Sequence, residues 1–168
     1  SAAMDSGNAY AALQKAFADT KQTGSVEEVF SAHSAHVKAV VNLLNTVADN
    51  SNLTLDPDID SYYLMDAALF RLPVIVESAG KLRGLGLDAL KSGKVSPQQQ
   101  HEFAALLGLA EYQQLGIRDS LKKAQAYNKT LGSSLNAEQA MSRMDAFLGL
   151  ARKTLLSDAA ASPEAQAA

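Results

Sequence analysis

Apolar residues return every three or four positions over three long stretches, and that period leaves little room for anything but helix. The first stretch runs Val26, Phe30, His33, Val37, Val40, Leu44 and Val47. The second is Phe103, Leu106, Ala110, Ile117, Leu121, Ala124 and Leu131, and the third is Ala137, Met141, Met144, Leu148, Ala151 and Leu155. A shorter helix is predicted over 8–19. Alanine and leucine dominate, β-branched residues are sparse, and no alternation with period two marks a strand.

Helix starts are written in the same places. In "SVEE", Ser25 precedes Glu28 by three residues, the pattern of a capping box. "SPQQ" repeats it with Ser96 and Gln99, and adds Pro97 at the first helical position. "NAEQ" offers a weaker version with Asn136 and Gln139. "DPDID" predicts a helix capped by Asp56 and opened by Pro57, with Asp58 and Asp60 where the helix dipole favours negative charge. The joints near Gly24, 51–55, 93–95 and 132–135 are short. Long helices with short joints predict an all-α, antiparallel up-down helical bundle of the four-helix type.

The helix expected from Pro57 differs from the others. Tyr62, Met65, Leu69, Leu72, Val76 and Ala79 form its expected seam, yet Ile59, Tyr63 and Phe70 fall near the opposite side. A helix apolar nearly all round faces more than one neighbour. Pro73 removes a backbone donor in the helix interior, which predicts a bend near Leu69.

Composition narrows the chemistry. The 168 residues suffice for one domain with its own core, and the net charge of −3 gives no reason to expect a nucleic-acid partner. With no cysteine there is no disulfide framework, thiolate metal site or thiol nucleophile. No apolar run spans a bilayer. Residues 1–7 read as a cloning remnant or a disordered N-terminus, and 158–168 as a disordered tail or linker. Both ends look cut, as in a domain excised from a longer protein.

Few residues suggest a site. Arg71 is the sole charge between Asp66 and Glu77. A guanidinium there either clamps a carboxylate or phosphate with its forked donors, or pairs with an acid inside the protein. Tyr62 and Tyr63 lie about 100° apart on a helix, so that one can offer its hydroxyl while the other packs. His33 and His36 sit one turn apart, but without a third ligand a hydrogen-bonded core His33 is the better reading, and no metal is expected. Gly80, Gly84 and Gly86 allow close helix approach and lack the context of a phosphate loop. No nucleophile or paired-carboxylate setting appears, so no enzymatic activity and no cofactor are expected.

One block carries a resemblance. "NSNLTLDPDIDSYYLMDAALFRLP" followed by "ESAGKLRGLGLDALKSGKVSP" resembles periplasmic sensor regions of bacterial transmembrane receptors, methyl-accepting chemotaxis proteins most of all. Sensor histidine kinases and diguanylate cyclases carry similar regions. The likeness covers 50–97. It implies an antiparallel helical bundle between two membrane helices that are absent from this chain. It implies a homodimeric receptor in the inner membrane, with 8–157 as its periplasmic sensor domain, binding a small molecule and signalling by helix displacement. Arg71 and Arg118 suggest an organic anion, and Tyr62, Tyr63 and Asp66 complete the expected contact set. The alternative is an interaction or dimerisation module of a sensor kinase or diguanylate cyclase, without a small ligand.

Overall fold

The computed structural model describes residues 5–156, Ser133 by its backbone alone. Among them the only regular structure is helix: α1 Gly7–Ala18, α2 Val26–Asn50, α3 Ile59–Met65, α4 Leu72–Ser92, α5 Pro97–Tyr127, a single turn α6 Leu131–Ser134, and α7 Ala137–Leu155. A 3₁₀ turn at Leu53–Leu55 joins α2 to α3, and a π-helical turn at Asp66–Arg71 joins α3 to α4. The expected tail 158–168 lies outside the described residues, as do residues 1–4. The rest of the segment 1–7 is ordered onto α1: Ser6 is buried and its carbonyl accepts the Tyr10 N–H.

Two helix starts form as read. Ser25 Oγ accepts the Glu28 N–H at 3.2 Å while Glu28 Oε2 accepts the Ser25 N–H at 3.1 Å. Ser96 and Gln99 make the same reciprocal pair. Gly93 closes α4 with φ 69°, a left-handed conformation that glycine adopts without a Cβ penalty. Two other starts differ. Asn136 caps no backbone group; its amide donates instead to the Gln139 side chain. Asp56 is not the cap of α3. Pro57 holds the residue before it extended, and Asp56 Oδ1 accepts the Asp58 N–H in a local turn. The helix therefore opens two residues later, with Asp58 at the cap position. Likewise α5 stops at Tyr127, short of Leu131. Asn128 Oδ1 accepts both the N–H and the hydroxyl of Thr130, a local alternative to helical bonding.

From Ile59 to Ser92 the chain is one helical rod. The bend expected near Leu69 takes the form of the π turn, which closes i→i+5. Pro73 then falls at the start of the new α-helical segment, where no donor is missed. The rod and α5 run antiparallel, as do α5 and α7, and the core lies between the three. Leu82 and Ala89 of the rod meet Phe103, Leu107 and Ala110 of α5 and Leu148, Ala151 and Leu155 of α7. Ala67, Ile75, Ile117 and Met141 extend it past the π turn. Each of the larger residues contributes about 1.5–3 kcal/mol by leaving water.

The rod's buried line is not the expected seam. Met65 is buried, but Leu72 and Val76 are 42% and 59% exposed. The line facing the core runs instead through Ala67, Ile75, Ser78, Leu82, Gly86 and Ala89. The line holds the large Ile75 and Leu82 beside smaller residues; the π turn puts an extra residue into the rod, so the face that looks inward beyond it is not the one a regular α-helix would present. The stripe of α2 is also corrected. Val26, Val37, Val40 and Leu44 are exposed, and so is His33, which is no core histidine. Only Ala48 of α2 is buried; its N-terminal half packs on α1 and stands off α4 across a groove.

The caps give a direct contrast. Ser96→Ala is expected to lower unfolding free energy by about 1 kcal/mol, and Asn136→Ala by only a few tenths. Equal losses in urea denaturation would contradict the assigned bonds.

Candidate functional site

The π turn places Asp66 and Arg71 on the same side, five residues apart. Arg71 Nε donates to Asp66 Oδ2 at 2.6 Å, and its Nη1 donates to Gln113 Oε1 at 3.3 Å. Ser120 Oγ donates to the same Asp66 oxygen at 2.7 Å. The hydrogen bond to Asp66 raises the guanidinium's pKa further above its ordinary value. With side-chain exposures of 28% for Arg71 and 18% for Asp66, this is a largely sheltered polar cluster in an otherwise apolar helix contact.

Gly116 makes the cluster possible. A Cβ there would lie 2.0 Å from Arg71 Nη1 and 2.6 Å from Cζ. The guanidinium therefore occupies the space above a glycine backbone on α5. Gln113, Gly116 and Ser120 recur at helical spacing, and this polar and small line along α5 was the available sequence signal for them. Their pairing with Arg71 could not be read without the register between the rod and α5.

The other expected residues divide. The Tyr62 and Tyr63 rings meet edge to face, with centroids 5.4 Å apart at 74°. Lys123, held by Asp119 at 2.6 Å, places its ammonium 5.1 Å from the Tyr63 ring centroid. Asp66 and Arg71 are joined as described. Arg118 turns instead to α7, where Asp145 Oδ2 accepts from it at 2.7 Å. Buried Gln114 donates to Asp145 Oδ1 and to the Met141 carbonyl, a second polar tie that sequence reading missed. Both candidate anion-binding arginines are thus already matched to carboxylates.

Open space lies elsewhere. A groove of about 530 Å³ between α2 and α4 is lined by Phe30, His33, Val37, Lys81 and Gly84 among others. A second, of about 520 Å³, continues along α2 over Pro73, Val74, Leu106 and Leu109. A third, of about 660 Å³, lies between α4 and α7 and includes Arg83 and Arg143. Tyr62, Tyr63, Asp66, Arg71 and Arg118 line none of these three. Among the described residues no group of three His, Asp or Glu side chains could hold a metal ion, and no helix is long and apolar enough to cross a membrane.

No protein-family model, curated protein or solved structure matches the chain.

The cluster predicts a sign reversal. Arg71→Ala leaves Asp66 sheltered with a single hydroxyl partner. It is expected to destabilise by about 2 kcal/mol, less than the loss for a fully buried pair because water reaches part of this one. Gly116→Ala is expected to destabilise as well, since its methyl displaces the guanidinium, despite alanine's preference for helix. In the Arg71→Ala background, Gly116→Ala should stabilise by about 0.5–1 kcal/mol. A double-mutant cycle in urea measures this; the same effect of Gly116→Ala in both backgrounds would remove the proposed contact.

Proposed function

We propose that this chain is the periplasmic ligand-sensing domain of a homodimeric, membrane-anchored receptor of the methyl-accepting chemotaxis type. In this reading α2, the rod, α5 and α7 are the members of an antiparallel four-helix bundle. Its ligand is a small molecule, an organic anion in the first instance. The observation that carries the reading is the Asp66–Arg71 π turn, which falls inside the receptor-like block 50–97. A sensor needs an element with two arrangements that a ligand can bias. A turn wound i→i+5, held by a few polar bonds ahead of a proline, is the least regular point of the longest rod. Rewinding it to an α-turn changes the register of one half of the rod relative to the other, which is a helix displacement.

Tyr62, Tyr63, Asp66, Arg71 and Arg118 are the proposed contact set. A ligand carboxylate reaches Arg71 by taking the place of Asp66, or Arg118 by taking that of Asp145. In either case binding and loss of an internal pair are the same event. Ligand affinity is then coupled to the turn.

One observation favours a second reading, an interaction or dimerisation module of a sensor kinase or diguanylate cyclase. The line Val26, Val37, Val40 and Leu44 on α2 is only partly covered by the other described residues. Sedimentation across a concentration series addresses it directly.

A thermal-shift screen of organic acids, amino acids and amines tests the sensing reading. At 1 mM, a ligand with a micromolar dissociation constant should add about 4 kcal/mol to stability. A screen in which no compound raises the midpoint, with self-association through α2 demonstrated, would favour the second reading.

A further inference from the structure

The chain has five arginines. Three are matched to carboxylates: Arg71 to Asp66, Arg118 to Asp145 and Arg152 to Glu111. The other two, Arg83 on α4 and Arg143 on α7, have no hydrogen-bond or ion-pair partner among the described residues. Both line the same groove, of about 660 Å³, between α4 and α7. Val76, Ala79, Met144 and Phe147 supply apolar wall to it, and no Asp or Glu lines it.

We infer that this groove binds an organic anion with an apolar body. The anionic group pairs with Arg83 and Arg143, and the hydrocarbon lies on Met144 and Phe147. Charge decides the first half. Two like charges facing one groove repel, and no Asp or Glu among the described residues partners either, so an anion placed between them removes the repulsion and gains forked hydrogen bonds. Apolar lining decides the second half. An inorganic anion would leave Val76, Met144 and Phe147 uncovered, whereas a carboxylate on a hydrocarbon body covers them. Volume fits as well, since small-molecule sites run about 300–1,000 Å³.

A second copy of the chain suits the groove less. A two-fold dimer places the same patch against itself, and here that would set arginine against arginine with no acid in the lining. The groove is also separate from the Asp66–Arg71 cluster, so binding there does not depend on the sensing function proposed above.

Benzoate and its neutral counterpart benzamide are the probes. Titration of the whole chain is followed by amide chemical shifts in two-dimensional NMR. Benzoate should saturate with shifts centred on the facing turns of α4 and α7, and benzamide should bind at least about tenfold more weakly. The double variant Arg83→Gln/Arg143→Gln should weaken benzoate by at least about tenfold. Ala140→Asp, which adds a carboxylate at an exposed lining position, should do the same. Arg152→Gln removes one positive charge outside the groove and should leave benzoate affinity unchanged. Helical circular dichroism checks that each variant is folded. Equal affinity for acid and amide overturns the inference. So does a folded double variant that binds benzoate like the wild type, and so does absence of any α4 or α7 shift at benzoate concentrations on the order of 10 mM. An acid that raises the thermal midpoint is assigned to this groove when Arg83→Gln/Arg143→Gln abolishes its effect, and to the Asp66–Arg71 cluster when that variant retains it.

Discussion

The rod and α5 approach each other along a line of small residues, and much of the molecule follows from that closeness. Ala67, Ser78, Gly86 and Ala89 face inward from the rod; Ala110, Ser120 and Ala124 do so from α5. Between these short side chains Ile75, Leu82, Phe103 and Leu107 fill the core, and further groups enter from the edges over glycine. Arg71 enters over Gly116, where any Cβ would strike it. Leu155 of α7 enters over Gly86, where a Cβ would lie 2.9 Å from its Cδ1. The glycines are thus the sockets into which one charged and one apolar side chain fit.

The π turn belongs to the same constraint. With Pro73 unable to donate and its ring pressing on the preceding turn, a regular α-helix through Leu69 would be strained. The chain widens by one turn instead, and the widening sets Asp66 and Arg71 side by side. Ser120 and Gln113 then complete the cluster from α5. A helix irregularity and an ion pair therefore support one another. In the proposed sensor this mutual dependence is the switch: removing the pair frees the turn, and rewinding the turn separates the pair. The α1–α2 hairpin forms an outer layer over this core, with grooves rather than close contact along α4.

The helices themselves were legible in the sequence because their signals are local. Ser25 with Glu28 and Ser96 with Gln99 cap as their spacing requires, since a capping box involves four consecutive residues and nothing else. Asn136 and Asp56 are also cap-forming residue types but take other local partners. At Asp56 the proline beside it decided the outcome. The buried faces of α5 and α7 were also legible, because large apolar residues recur there at helical spacing. On the rod and on α2 the same reasoning failed for different reasons. The π turn shifts the rod's inward face to Ile75, Ser78 and Leu82, and α2 leaves its apolar line only half covered.

Of the candidate site, the sequence alone marked Arg71 as a charge needing a partner, a ligand or an internal acid, and placed Asp66 with it only as a member of the expected contact set. Whether that partner was a ligand or an internal acid depended on the winding of the turn between them, which closes five residues rather than four. Gln113, Gly116 and Ser120 joined them only through the antiparallel register of α5, some fifty residues away in the chain. The same holds for Arg83 and Arg143, unremarkable apart in sequence and brought to one groove by α4 and α7. Local bonding and helical period act within a few residues, so the sequence by itself determined which segments are helices and, for α5 and α7, which faces they bury. Which charges meet, and which are left without a partner, depends on distances between segments, and only the tertiary structure decided it.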